Sequence, residues 1–142
     1  MKKYNIYFAV IVAVLTLLIF DFVYVASVSV FYKKAIRVVQ GGDDMRLNIY
    51  PAILCYIIMV VGLLHIILTQ LSRYGSLRSL SYQNKLKYAL RFGGIIGFVI
   101  YGVFNTTNLA MFKRYSFPLA VIDIIWGTLL YTIATYVYLI MS

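Results

Sequence analysis

Apolar residues occupy four long runs, and polar residues gather in the short gaps between them. The runs extend from about Ile6 to Phe31, Tyr50 to Gln70, Ala89 to Phe112 and Phe117 to Met141. Each suffices for the roughly 20 residues that a helix needs to cross a hydrocarbon core about 30 Å thick. The pattern predicts an all-α fold: an integral membrane bundle of four transmembrane helices with antiparallel up-down spans. Residues 1–142 form a single transmembrane domain, with a basic loop over residues 71–88. Lys2 and Lys3 before the first run also suit a cleaved signal peptide, but that run exceeds the usual core of roughly 7–15 residues and carries Asp21.

Composition agrees. The chain has 142 residues, of which 63% are hydrophobic and 12% charged, against roughly a quarter charged in soluble domains. The spans leave no room for a soluble domain. The lone Cys55 lies within the second span, so no internal disulfide is available.

The net charge is +9, with no acidic residue between Asp44 and Asp123. The cations are split among short loops beside apolar spans, which speaks against a nucleic-acid partner and for the anionic headgroups of a lipid bilayer. Arg73, Arg78, Lys85 and Lys87 alternate with Leu71, Tyr74, Leu77, Leu80 and Leu86, a pattern suited to a short interfacial helix that holds lipid headgroups. An even number of spans puts both termini on one side, with Lys2, Lys3, Arg73, Arg78, Lys85, Lys87 and Arg91. Lys33, Lys34, Arg37, Arg46, Lys113 and Arg114 fall on the other. This narrow bias favours cytoplasmic termini. Tyr4, Tyr7, Tyr32, Tyr50, Tyr74, Tyr88 and Tyr115 sit near span ends, at headgroup level.

Candidate chemistry centres on Asp21 and Asp123, the two acidic residues inside spans. A carboxylate there is costly and faces the bundle interior. Asn105 and Asp123 are symmetric about Arg114, so the third and fourth spans bring them to equal depth, roughly 10 Å below their loop; Asp21 lies roughly 16 Å below the first loop on the same side. At about 100° per residue, Gly97, Tyr101, Phe104 and Asn108 share a stripe about 60° wide, with Asn105 on its shoulder and Gly93 at its border. Ala120, Asp123, Gly127 and Ala134 share a face of the fourth span. Small residues let helices approach closely. The expectation is a tight seam through Gly93, Gly97 and Gly127, with Asn105, Asn108 and Asp123 hydrogen-bonded across it and Asp21 supplied by the first span.

Two readings of this cluster stand. One is polar glue, contributing about 1–2 kcal/mol at most. The other is a protonatable site, because two carboxylates in a low-dielectric region disfavour joint ionisation. Trp126, one turn from Asp123, has an indole N–H for that carboxylate or for a neighbouring helix. His65 is either a bundle histidine or a relay toward the opposite face. One His and one Cys make no ligand-spaced metal set, and no cofactor motif is present. The glycines of Gly93-Gly94-Ile95-Ile96-Gly97 read as packing rather than phosphate binding. Ser116 and Pro118 mark the start of the fourth helix.

Tyr101-Gly102-Val103-Phe104-Asn105-Thr106-Thr107-Asn108-Leu109-Ala110, then Pro118 and Asp123-Ile124-Ile125-Trp126-Gly127-Thr128, resembles the domain-of-unknown-function 2177 (DUF2177) family of small membrane proteins. In the first span Asp21-Phe22-Val23-Tyr24 is similar to that family's Asp-x-x-aromatic, with tyrosine in place of tryptophan. Asn105 stands where the family pattern has a carboxylate, which weakens a three-carboxylate proton mechanism. The resemblance implies four spans, no established activity and a bacterial inner membrane, with a viral or host internal membrane as the alternative.

Three functional classes follow. The first is a non-enzymatic bundle, as a homo-oligomer, with an intramembrane Asp/Asn site for a proton, cation or small polar solute. The second is a structural or assembly scaffold whose basic loops hold anionic lipids or a partner protein. A lipid-modifying enzyme using Asp123 or His65 is the weakest, since no nucleophile–base order or metal set supports it.

Overall fold

The computed structural model describes residues 6–46, 48–71 and 79–142. Helix α1 spans Ile6–Val39 and α2 spans Ile49–His65, followed by a π-helical turn over Ile66–Leu71. Helix α3, Tyr82–Ala89, continues through a second π-helical turn, Leu90–Gly94, into α4, Ile95–Met111. Helix α5 spans Phe117–Met141. Four helical stretches are long and apolar enough to cross a membrane: Ile6–Val39, Ile49–Thr69, Tyr82–Met111 and Phe117–Met141.

Two boundaries differ from the hydropathy pattern. Helix α1 continues past Phe31 through Lys33, Lys34 and Arg37, because leaving the membrane does not end a helix whose residues still favour one. At about 1.5 Å per residue it is roughly 50 Å long, well beyond the hydrocarbon core. Residues 82–88, expected in the basic loop, are already helical. Ser81 caps them by accepting from the Asn84 N–H at 3.4 Å. At the start of α5 Ser116 occupies the cap position without a side-chain bond, and Pro118 sits in the first turn.

Helix α5 is the hub: it packs on α1, α3 and α4 and carries the longest run of buried positions. The α4–α5 contact rests on missing side chains. A Cβ on Gly97 would run into the backbone carbonyl of Gly127, one on Gly127 into the Tyr101 ring, and one on Gly93 into the Tyr131 carbonyl and Thr135. Helix α1 meets the bundle through Ala9, Ala13, Leu17 and Asp21, and the third span through Gly93 in the π-helical turn and Gly97 on α4, continuing to Tyr101 and Asn105.

That four-residue spacing corrects the expected stripe on the third span. A ridge of every fourth residue precesses around the helix rather than running straight along it. It carries Asn105, 0% exposed, into the seam and leaves Phe104 57% exposed to the surroundings. Large apolar side chains such as Phe22, Val30, Tyr50, Ile58, Phe98 and Ile125 cover the outer surface. This is the arrangement a lipid solvent favours.

The bundle has two unlike halves. Toward the chain termini the core is mainly aliphatic, with Leu17, Leu63, Ile66, Ile67, Leu130 and Leu139 fully buried, but Tyr131, Thr132, Thr135, Tyr138 and Lys85 are buried among them. Toward the α4–α5 turn it is polar.

Candidate functional site

The polar half is built from one aspartate on each of α1 and α5, with donors from α1, α4 and α5. The Tyr101 hydroxyl donates to Asp21 Oδ1 at 2.9 Å, and the Trp126 indole Nε1–H donates to the same oxygen at 3.3 Å. A turn away, Asn105 Nδ2 donates to Asp123 Oδ2 at 2.6 Å, and the Tyr24 hydroxyl donates to Asp123 Oδ1 at 3.3 Å. Asn105 Nδ2 also reaches the Tyr101 carbonyl at 2.9 Å. The Tyr56 side chain of α2 lies near Asp21, and that of Tyr32 on α1 near Asp123.

Helices α1 and α5 run antiparallel, and each carries an aspartate three residues before an aromatic: Asp21 with Tyr24, Asp123 with Trp126. Because the chains run oppositely, each aromatic falls level with the other helix's carboxylate. Trp126 therefore donates to Asp21 rather than to the nearby Asp123, and Tyr24 donates to Asp123. Their rings stack between the carboxylates with centroids 4.6 Å apart.

Asp21 is 5% exposed and Asp123 7%. Among the described residues no Lys, Arg or His pairs with either; the ion pair present is between the exposed Arg37 and Asp44, at 3.7 Å. All the named donors to the carboxylates are neutral. The indole N–H and the amide N–H can only donate in these positions. They satisfy a carboxyl oxygen and would repel a metal ion placed beside it. No three His, Cys, Asp or Glu side chains among the described residues form a metal-binding group.

The turn between α4 and α5 covers the site. The Tyr115 hydroxyl donates to Asn105 Oδ1 at 3.1 Å and also meets Asn108. Burial, and to a lesser degree the negative charge of Asp123, raises the Tyr115 phenol above its ordinary value of 10.0, against an opposing hydrogen bond to Asn108. Tyr115 thus stays protonated and available as a donor at neutral pH.

The structure brings Asp21, Asn105, Asp123 and Trp126 into one network, with Asn108 at its edge through Tyr115. Gly93, Gly97 and Gly127 lie in the seam beside it. His65 is exposed on α2, and among the described residues no hydrogen bond joins its ring to the network; its carbonyl accepts from Thr69. Lys85, expected at the lipid headgroups, is only 8% exposed, because it shares with Ala89 and Gly93 the face that packs on α5. Lys87 is exposed. Arg73 and Arg78 lie outside the described residues.

Sequence reasoning did not identify the tyrosine hydroxyls as site members. From the sequence, Tyr32 and Tyr115 read as headgroup-level anchors. A usable signal was present in the paired Asp-x-x-aromatic spacing on two antiparallel spans, which aligns each carboxylate with the other helix's ring.

The sequence profile of DUF2177, described as a predicted membrane protein, matches residues 6–140. No curated protein and no solved structure matches the chain.

Proposed function

The chain belongs to the DUF2177 family of membrane proteins, and on that premise we propose that it is a non-enzymatic bundle whose Asp21–Asp123 pair takes up and releases a proton inside the membrane. The observation that carries this reading is the neutral surroundings of both carboxylates: hydroxyl, indole and amide donors contact them, and no cation among the described residues does. Two buried carboxylates without a counter-charge disfavour joint ionisation, the condition that a site holding an exchangeable proton requires.

Among the three ligands that the sequence allows, a proton suits the site best. Neutral N–H donors aimed at the carboxylates oppose a metal cation, and stacked rings and hydrogen-bonded side chains fill the space between the helices. A polar solute would have to displace them. The test is proton uptake by purified protein in nanodiscs of uncharged lipid, compared with the Asp21→Asn/Asp123→Asn double variant. The expected difference is about one proton per chain; identical uptake curves would overturn the reading.

A further inference from the structure

At the end of the bundle that carries the α4–α5 turn, helix α1 overruns its neighbours. Its length exceeds a hydrocarbon core of about 30 Å by roughly 20 Å, so its last turns, with Lys33, Lys34 and Arg37, stand at and beyond headgroup depth. Helix α4 ends at Met111, and residues 112–116 return the chain to α5. Between the end of α1 and this turn lies an open groove of about 280 Å³, lined by Val38, Val39, Met111 and Phe112 together with Lys113 and Arg114. Gly41, at φ 72°, takes the chain off the end of α1 and also lines the groove.

The groove sets two chemistries side by side. Val38 and Met111 are 46% and 69% exposed, at a depth where headgroups replace hydrocarbon as the surroundings. Lys113 and Arg114 are exposed, and among the described residues no ion pair engages either. The carboxylates of this end are placed elsewhere: Asp44 pairs with Arg37 at 3.7 Å, and Asp43 and Asp44 line a different hollow with Gln40 and Arg46. Unpaired cations beside an uncovered apolar wall suit an anionic amphiphile, which brings a phosphate to the first and glycerol and acyl carbons to the second.

We infer that this groove binds one anionic phospholipid, with Lys113 and Arg114 on its phosphate and Val38, Val39, Met111 and Phe112 against its glycerol and upper acyl chains. The planar fork of Arg114 can hold two phosphate oxygens while Lys113 adds a point charge. A soluble phosphate would use the cations and leave the wall uncovered. Basic loops without a wall would gather anionic lipid near the surface without holding one molecule in place. The site lies at the opposite end of the bundle from the basic segment over residues 71–88. It does not rest on the Asp21–Asp123 reading and stands whether or not that pair titrates.

The experiment is native mass spectrometry of the full chain in detergent at physiological ionic strength, titrated with phosphatidylglycerol or phosphatidylcholine. Wild type should retain one phosphatidylglycerol about tenfold more tightly than phosphatidylcholine. Lys113→Gln/Arg114→Gln should abolish that preference. Lys33→Gln/Lys34→Gln removes the same charge from exposed positions that do not line the groove, and should keep most of it. All four side chains are exposed, so both variants should fold, with unchanged helical circular dichroism as the check. Glycerol phosphate should fail to displace the bound lipid at equal concentration, because it cannot cover the apolar wall. Equal loss in the two double variants would assign the preference to diffuse charge and overturn the site. Displacement by glycerol phosphate, or no preference in wild type, would overturn it as well.

Discussion

The rings of Tyr24 and Trp126 stack 4.6 Å apart and 11° from parallel, each sending its polar atom to the aspartate of the opposite helix. The crossed pairing fixes the register of α1 on α5: sliding either helix by one residue breaks both hydrogen bonds and the stack together. A double-mutant cycle on Tyr24→Leu and Trp126→Leu, read by unfolding in mixed micelles, should show a coupling of about 0.5–1.5 kcal/mol. Simple additivity of the two changes would contradict the latch.

The α4–α5 seam should tolerate no added carbon at Gly97. Gly97→Ala pushes a methyl into the Gly127 carbonyl and should destabilise the bundle by about 1–3 kcal/mol. Gly102 serves as the comparison, since its Cβ would meet nothing within 4 Å. Gly102→Ala should be neutral or stabilise by up to about 1 kcal/mol through helix propensity. Equal effects at the two sites in a thermal or denaturant series would refute the seam.

Asn105 and Asp123, 2.6 Å apart, should be exchangeable as a pair though not singly. Asn105→Asp sets two carboxyls against each other, and Asp123→Asn sets two amides against each other. Each should cost about 1–3 kcal/mol. The swapped double variant restores an amide–carboxylate pair and should recover part of the loss, the remainder being the donor that the Tyr101 carbonyl loses. A double variant as unstable as the sum of the singles would show that the pair does not act as a unit.

Much of this architecture was legible in the sequence. Hydropathy marks the four spans because only long apolar runs can sit in hydrocarbon, and rise per residue places Asn105 level with Asp123. Less of the site was. A helical projection assumes a straight stripe, so it favoured Phe104 over Asn105, whereas the glycine seam follows a precessing four-residue ridge. Tyr101 and Tyr115 join the network by reaching across from other elements. Sequence spacing gives a residue's depth, and only packing decides which neighbour its hydroxyl meets. Lys85 shows the same limit, because its burial follows from the face that Ala89 and Gly93 press onto α5.

Tyr115 offers a pH-dependent check outside the spans. Its phenol is raised above 10.0, mainly by burial, so the folded state holds this proton more tightly than the unfolded chain does. Its contribution to stability is therefore complete below pH 10.0 and is lost as pH rises through the higher folded value. The difference between ultraviolet phenolate titrations of wild type and Tyr115→Phe should reveal a tyrosine ionising later than a free one. Asp123→Asn should move that ionisation to lower pH by a small part of the shift, because the charge contributes less than burial. Ionisation at or below the ordinary value would show that the turn does not bury Tyr115.

The central claim is that the Asp21–Asp123 pair holds an exchangeable proton. Infrared spectroscopy of the carboxyl stretch in a lipid bilayer, across a pH series, tests it most directly, with Asp21→Asn and Asp123→Asn assigning the bands. The account predicts a protonated carboxyl band that titrates within the series and is altered by either substitution, as a coupled pair requires. Carboxyls that keep one state throughout the series, with each band indifferent to loss of the other residue, would contradict it and leave the network as structural glue between α1, α4 and α5.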